Sequence, residues 1–267
     1  MKTSIRLAIG RSPFLHAWAT RIVNCNNSLF YQWSSSRKDW KDSLQALHNS
    51  ARRRRCFIIG NGPSLTPSDL ELISGEDTFA SNQIFRVFPR TSWRPKYYVV
   101  QDIYGKIKDE VDSLTKIQVF MGDYYARKIG TSLEEVVVFH GKKPIGNALS
   151  FSEDISKYVV DFATVTFTML QLAVYMGYEE IYLLGMDHSY ARTINAQGEL
   201  TAAEGVKNHF YKDPSSITVT ANSEGMERAY GLARLHCQSH GIRVRNVTRG
   251  GFLEVFERMS LEEALRD

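Results

Sequence analysis

The sequence predicts an α/β sandwich on a mostly parallel sheet. Three observations carry this. Apolar runs of three to five residues recur between positions 56 and 244. Between several of them lie stretches of helical length with capping residues at their ends. The composition, 43% hydrophobic and 23% charged over 267 residues, suits one large domain or a domain with an extension. Short buried strands alternating with helices are the pattern of a parallel sheet covered on both faces.

Residues 1–50 read as a basic extension, ahead of a domain spanning 51–267. No Asp or Glu occurs in 1–38, which carry Lys2, Arg6, Arg11, Arg21, Arg37 and Lys38. The stretch Phe14 to Trp18 fits an interfacial helix, and the Arg-rich, acid-free character also resembles an organelle transit peptide. A helix is predicted over 40–49. The run Arg52 to Arg55 adds four charges. Without these two groups the chain is acidic, so a nucleic-acid-binding body is not expected. Such charge runs are most often solvated faces.

The first predicted strand is Cys56–Ile59, with Cys56 a small core residue. Thr66 is an N-cap candidate and Pro67 a first helical residue, so a helix is predicted over 67–73. Strands follow at Thr78–Ala80, Tyr97–Val100, Ile117–Met121, Val136–Phe139 and Ile181–Leu184, and a last one at Ile242–Val244. Helices are predicted over 166–176, ended by Gly177, and over 223–240, ended by Gly241. The segment 191–223 lacks a core pattern and reads as a lid-like loop. The whole is a Rossmann-like three-layer sandwich with a helical N-terminal extension.

Ligands in such sheets sit at the carboxyl ends of strands, where strand order reverses. After the first strand comes Gly60-Asn61-Gly62-Pro63-Ser64. Its glycines permit positive φ and close approach of a ligand, and the following helix can aim N–H groups at an anion. It is neither a dinucleotide fingerprint, which needs Gly at 65 where Leu65 stands, nor a P-loop. After the second strand, Asn82 and Gln83 suit a base or a ribose. Asp102 ends the third. After Leu184 come Asp187, His188 and Tyr190, an acid, an imidazole and a phenol within four residues. Asp187 and His188 are adjacent and would diverge on extended chain, so no metal site is expected from them. In the loop, His209 and Tyr211 are catalytic candidates.

Cys25, Cys56 and Cys237 make an odd count with no close pair, which points to a reducing, cytoplasmic setting. No apolar run approaches the ~18 residues of a membrane span. Peripheral contact at the inner membrane face, through the N-terminus, is the membrane role the sequence allows.

"CFIIGNGPSL", "SNQIF", "YYVVQD", "TVTFTMLQLAVYMGYEEIYLLGMDHSY", "NHFY" and "RNVTRGGFLEVFER" together resemble the 6-hydroxymethylpterin diphosphokinase MptE-like family, over roughly residues 43–260. That family is common in bacterial surface-glycan loci. A more distant resemblance is to small bacterial sialyltransferases that use CMP-sialic acid. It implicates Gly60, Asn61, Gly62, Ser64 and Asn82 in holding the CMP part. Asp102 falls near another nucleotide-contacting position. Thr164-Val165-Thr166 stands where that family has Thr-Ser-Gly, and Asp213 stands where it has its general base.

The resemblances imply a metal-independent glycosyltransferase of surface-glycan biosynthesis. Its donor would be a CMP-linked acidic sugar and its acceptor a glycan or a protein. The base would be His209 or His188, and Tyr190 or Tyr211 would steady the leaving phosphate. Two alternatives stand beside this. One is pyrophosphoryl transfer from ATP to 6-hydroxymethylpterin, which needs Mg²⁺ with Asp102 and Asp187 as its carboxylates. The other is a non-catalytic nucleotide-binding scaffold.

Overall fold

The computed structural model describes residues 12–101, 117–129, 136–190, 192–194, 200–202, 205, 208–211 and 220–266. Five strands come first: β1 (Arg55–Ile59), β2 (Asp77–Ser81), β3 (Tyr97–Val100), β4 (Gln118–Gly122) and β5 (Val136–Phe139). The short pair β6 (Gly141–Lys142) and β7 (Val159–Val160) follows, then β8 (Glu180–Leu184). A hairpin of β9 (Arg192–Ile194) and β10 (Leu200–Ala202) precedes β11 (Arg243–Asn246) and β12 (Glu257–Arg258).

The main sheet has the order β12-β11-β8-β1-β2-β3-β4-β5, and every pairing in it is parallel. All seven predicted runs lie in this sheet. The two-residue strand β12 is too short to carry a pattern and was not expected.

Strand alternation splits the core into two halves. Phe57 and Ile59 of β1 and Tyr182 and Leu184 of β8 face one half. Cys56 and Ile58, with Ile181 and Leu183, face the other. Burial on both faces is why these strands read as continuous apolar runs. On the first face lie α3 (Pro67–Leu72), a 3₁₀ turn (Ile84–Arg90), α4 (Asp123–Ile129) and α7 (Leu261–Ala264). On the second lie α5 (Val165–Tyr175) and α6 (Ser223–Ser239). The result is the Rossmann-like three-layer fold.

The N-terminal segment differs from a simple appendage. It holds α1 (Pro13–Lys38) and α2 (Trp40–Ala46). Helix α2 runs beside β5, the sheet edge, and so covers its unpaired backbone. Trp40 enters one half of the core and Leu44 the other. Tyr31 of α1 is buried and stacks on Trp40 and His140. The core therefore begins at residue 31, upstream of the expected boundary at 50. The four charges of the arginine run face two carboxylates: Arg53 and Arg55 pair with Glu76, and Arg54 with Glu179.

Candidate active site

Leaving β1, the chain order of the sheet reverses: β2 to β5 lie on one side, and β8 with β11 on the other. A cleft of about 190 Å³ opens at the carboxyl ends of β1 and β8, at this reversal. Gly60, Asn61, Gly62 and Asn82 line it from the β1 and β2 ends. Asp187, His188 and Tyr190 line it from the β8 end. Thr164 and Thr166 contribute the start of α5, and His209 the loop. Ten of the fifteen expected site residues thus meet at one cavity.

Four others do not line it. Pro63 lies outside the lining. Ser64 is outside the lining, and its hydroxyl donates to Asp187 Oδ2 at 2.7 Å. Gln83 accepts from Arg86 at the start of the 3₁₀ turn. Tyr211 stacks on His209 with ring centroids 4.8 Å apart and does not line the cleft. Asp102, and Asp213 with it, fall outside the described residues.

The role expected of the β1 turn needs correction. Neither Gly60 nor Gly62 has positive φ. A Cβ on Gly60 would lie 2.2 Å from the Gly185 carbonyl oxygen, and one on Gly62 would lie 1.8 Å from Asp187 Oδ2. The glycines make room for the loop after β8. The turn's N–H groups are used there too. Gly60 N donates to Leu184 O at 2.8 Å, Gly62 N to Gly185 O at 2.9 Å and Ser64 N to Asp187 Oδ1 at 3.1 Å. Nor can α3 hold an anion at its start. Its six residues begin with a capping box in which Asp69 accepts from Thr66 N at 2.9 Å. A carboxylate already occupies that positive end.

The start of α5 also faces the cleft. Its first turn carries no acidic residue, and Thr164 caps it by accepting from Thr166 N at 3.2 Å. Ala163 through Thr166 face the cleft. An eleven-residue helix aimed at a cavity supplies partial positive charge and free N–H groups.

Two polar groups in the cleft have unmet hydrogen bonds. Asn61 Nδ2 donates to Ser81 O at 3.1 Å, but the buried Oδ1 has no hydrogen-bond partner. Both ring nitrogens of His188 are likewise without one, with Glu227 Oε1 3.6 Å from Nε2. His188 adopts φ 51°, a left-handed backbone that costs energy in a non-glycine residue. Buried polar atoms left unpaired in a cavity are places for ligand atoms. Asn82, also left-handed at φ 55°, is held by the Tyr98 hydroxyl, which donates to its carbonyl.

Asp187, expected as a catalytic residue, lines the cleft and is tied to the β1 turn. Both its oxygens accept from Ser64, which ties the two loops together. Burial pushes its carboxyl above the usual carboxylate range. Burial also pushes the Tyr190 and Tyr230 phenols up. Tyr230 and Met226 of α6, with Leu253, also line the cleft. Sequence reasoning missed them because a Tyr and a Met on an amphipathic helix look like core. Among the described residues, one group has metal-ligand spacing: Glu153, His236 and His240, whose ligand atoms lie within 4.8 Å of one another. It lies outside the cleft.

The sequence profile of the family described as 6-hydroxymethylpterin diphosphokinase MptE-like matches residues 32–193, more than half of the chain. The chain belongs to this MptE-like family. The match begins within α1, in agreement with the core's start at Tyr31. No curated protein matches the chain. Among solved structures, a MAf glycosyltransferase from Magnetospirillum magneticum AMB-1 shares the fold, with TM-score 0.52 and 17% identity. The match covers 84% of this MptE-like chain, which spans only 38% of the glycosyltransferase's length. A sialyltransferase from Campylobacter jejuni, solved with cytidine-5'-monophosphate, matches with TM-score 0.46 and 14% identity over 79% of this chain and 86% of its own.

Proposed function

We propose that this MptE-like protein is a glycosyltransferase whose donor is a CMP-activated acidic sugar. One observation carries the reading: the cleft combines an acid-free helix start with an unpaired Asn61 acceptor and an unpaired imidazole. In this reading the cytidine rests between Asn61 and Asn82, and Asn61 Oδ1 accepts from it. The single phosphate sits at the start of α5 beside Thr164 and Thr166. His188 takes the proton of the acceptor hydroxyl as the glycosidic bond to phosphate breaks. Tyr190 and the α5 N–H groups stabilise the charge that develops on the departing phosphate. The same fold in a glycosyltransferase fits this reading.

The lining also speaks against ATP. It contains no Lys or Arg among the described residues, and Asp187 is its one carboxylate. Pyrophosphoryl transfer wants cations around several phosphates and carboxylates on Mg²⁺. A lone phosphate needs neither.

The test is a thermal-shift screen followed by donor turnover. Cytidine monophosphate should raise the melting temperature, since it binds the folded state alone. CMP release from CMP-sialic acid should survive EDTA. His188→Ala should lower it by about a hundredfold or more, with folding and CMP binding retained. Mg²⁺-dependent turnover of ATP and the pterin, or the absence of any shift with cytidine nucleotides, overturns the proposal.

A further inference from the structure

Helix α1 docks on the domain with its polar side. Its buried positions include Thr20, Asn24, Asn27, Tyr31 and Ser34, spaced four, three, four and three residues apart. Asn24 clasps the Lys143 backbone: its Nδ2 donates to Lys143 O at 2.8 Å, and its Oδ1 accepts from Lys143 N at 3.0 Å. The opposite side is apolar. Leu15, Trp18, Ile22 and Leu29 are 42%, 57%, 47% and 63% exposed. At 3.6 residues per turn they form one stripe, directly away from the buried face. A helix serving only the core would be turned the other way round. A continuous exposed apolar face of this kind marks an interaction surface.

Charge decides what covers it. Residues 1–38 carry six Lys and Arg and no acid, and Arg21 is exposed beside the stripe. A second copy of this segment would bring like charges together, with no carboxylate in 1–38 to pair them. A surface of anionic lipid satisfies both the apolar stripe and the basic, acid-free sequence around it. Among the described residues, no helix is long and apolar enough to cross a membrane.

We infer that α1 is a peripheral anchor that lies in the head-group plane of an anionic bilayer, with Trp18, Ile22 and Leu29 in the acyl boundary. The helix also borders a second cavity, lined by His16 and Thr20, that shares Ala163 and Thr164 with the cleft. Anchoring therefore brings the cleft close to the bilayer.

The experiment is co-sedimentation of the full chain with phosphatidylcholine vesicles, with and without phosphatidylglycerol. At low salt, anionic vesicles should bind at least about tenfold more protein, and high salt should reverse much of this. Trp40 and Trp93 are already buried, so a blue shift of tryptophan emission on binding reports the exposed indoles of α1. The triple variant Trp18→Ser, Ile22→Ser, Leu29→Ser alters only exposed side chains. It should keep its melting temperature and lose vesicle binding. Failure of the wild type to bind anionic vesicles overturns the inference, as does equal binding by the triple variant. A dimer in sedimentation velocity that the triple variant abolishes, without vesicle binding by the wild type, assigns the face to a second copy instead.

Discussion

At Gly62 the floor of the cleft leaves no space for even one methyl group. Its Cβ would fall 1.8 Å from Asp187 Oδ2 and 2.7 Å from the Gly185 carbonyl oxygen. The carboxylate cannot swing aside without breaking its bonds to Ser64. Gly62→Ala would otherwise stabilise slightly through the unfolded chain. Here it should cost about 3 kcal/mol, seen as a lower denaturation midpoint with an unchanged slope. An unchanged midpoint would show that the two loops are not locked. Asp187 makes a second prediction. Its folded carboxyl titrates above the ordinary range because of burial. Between the unfolded and the folded pKa, the native state holds more proton than the unfolded one. Stability is therefore lost as pH rises through that window, and the loss is complete above it. In Asp187→Asn this slope should be absent. Melting temperatures of both proteins from pH 4 upward, about where a free carboxyl begins to titrate, test it. Parallel curves would refute the assignment.

Among the elements, α3 shows a short helix held by its ends. Thr66 and Asp69 form the predicted cap. The structure adds Arg249, from the loop after β11, which donates to both oxygens of Asp69 at 2.7 and 2.6 Å and to Ser64 O at 3.2 Å. Burial would push Asp69 up, but Arg249 and Thr66 outweigh it and hold the carboxyl below its usual range. Arg249 is half exposed, so solvent screening discounts the pair. Arg249→Ala should cost about 1 kcal/mol, because Asp69 and Ser64 O both lose a donor. Denaturant titration checks this, and a cost above ~3 kcal/mol would mean that the pair behaves as fully buried. Helix α5 was legible, with its bounds shifted by one residue. A helical N-terminal extension was legible too, but the 26-residue length of α1 was not. Thr20, Ile22, Val23, Asn24, Asn26 and Asn27 are poor helix formers, and its inward face is polar. Docking on the domain overrides both.

For the molecule as a whole, the sequence by itself determined seven of the eight strands of the main sheet, the fold class and the segments that line the cleft. These follow from short-range preferences: β-branched and aromatic runs, caps, and glycine after a helix. Placing candidates at strand ends brought His188, Asn61 and Asn82 to one cleft. Which side chains stay available there is a tertiary matter. Local sequence could not show that β1 lies beside β8, some 120 residues away. That single pairing changes the meaning of Gly60-Asn61-Gly62-Pro63-Ser64. Its glycines and N–H groups serve the neighbouring loop, and α5 is left with an acid-free start at the cleft. It also consumes Asp187 and Ser64 and leaves Asn61 Oδ1 and His188 unpaired. Hydrogen-bond satisfaction depends on every group that packing brings near, so only the folded chain decides which polar atoms remain for a ligand.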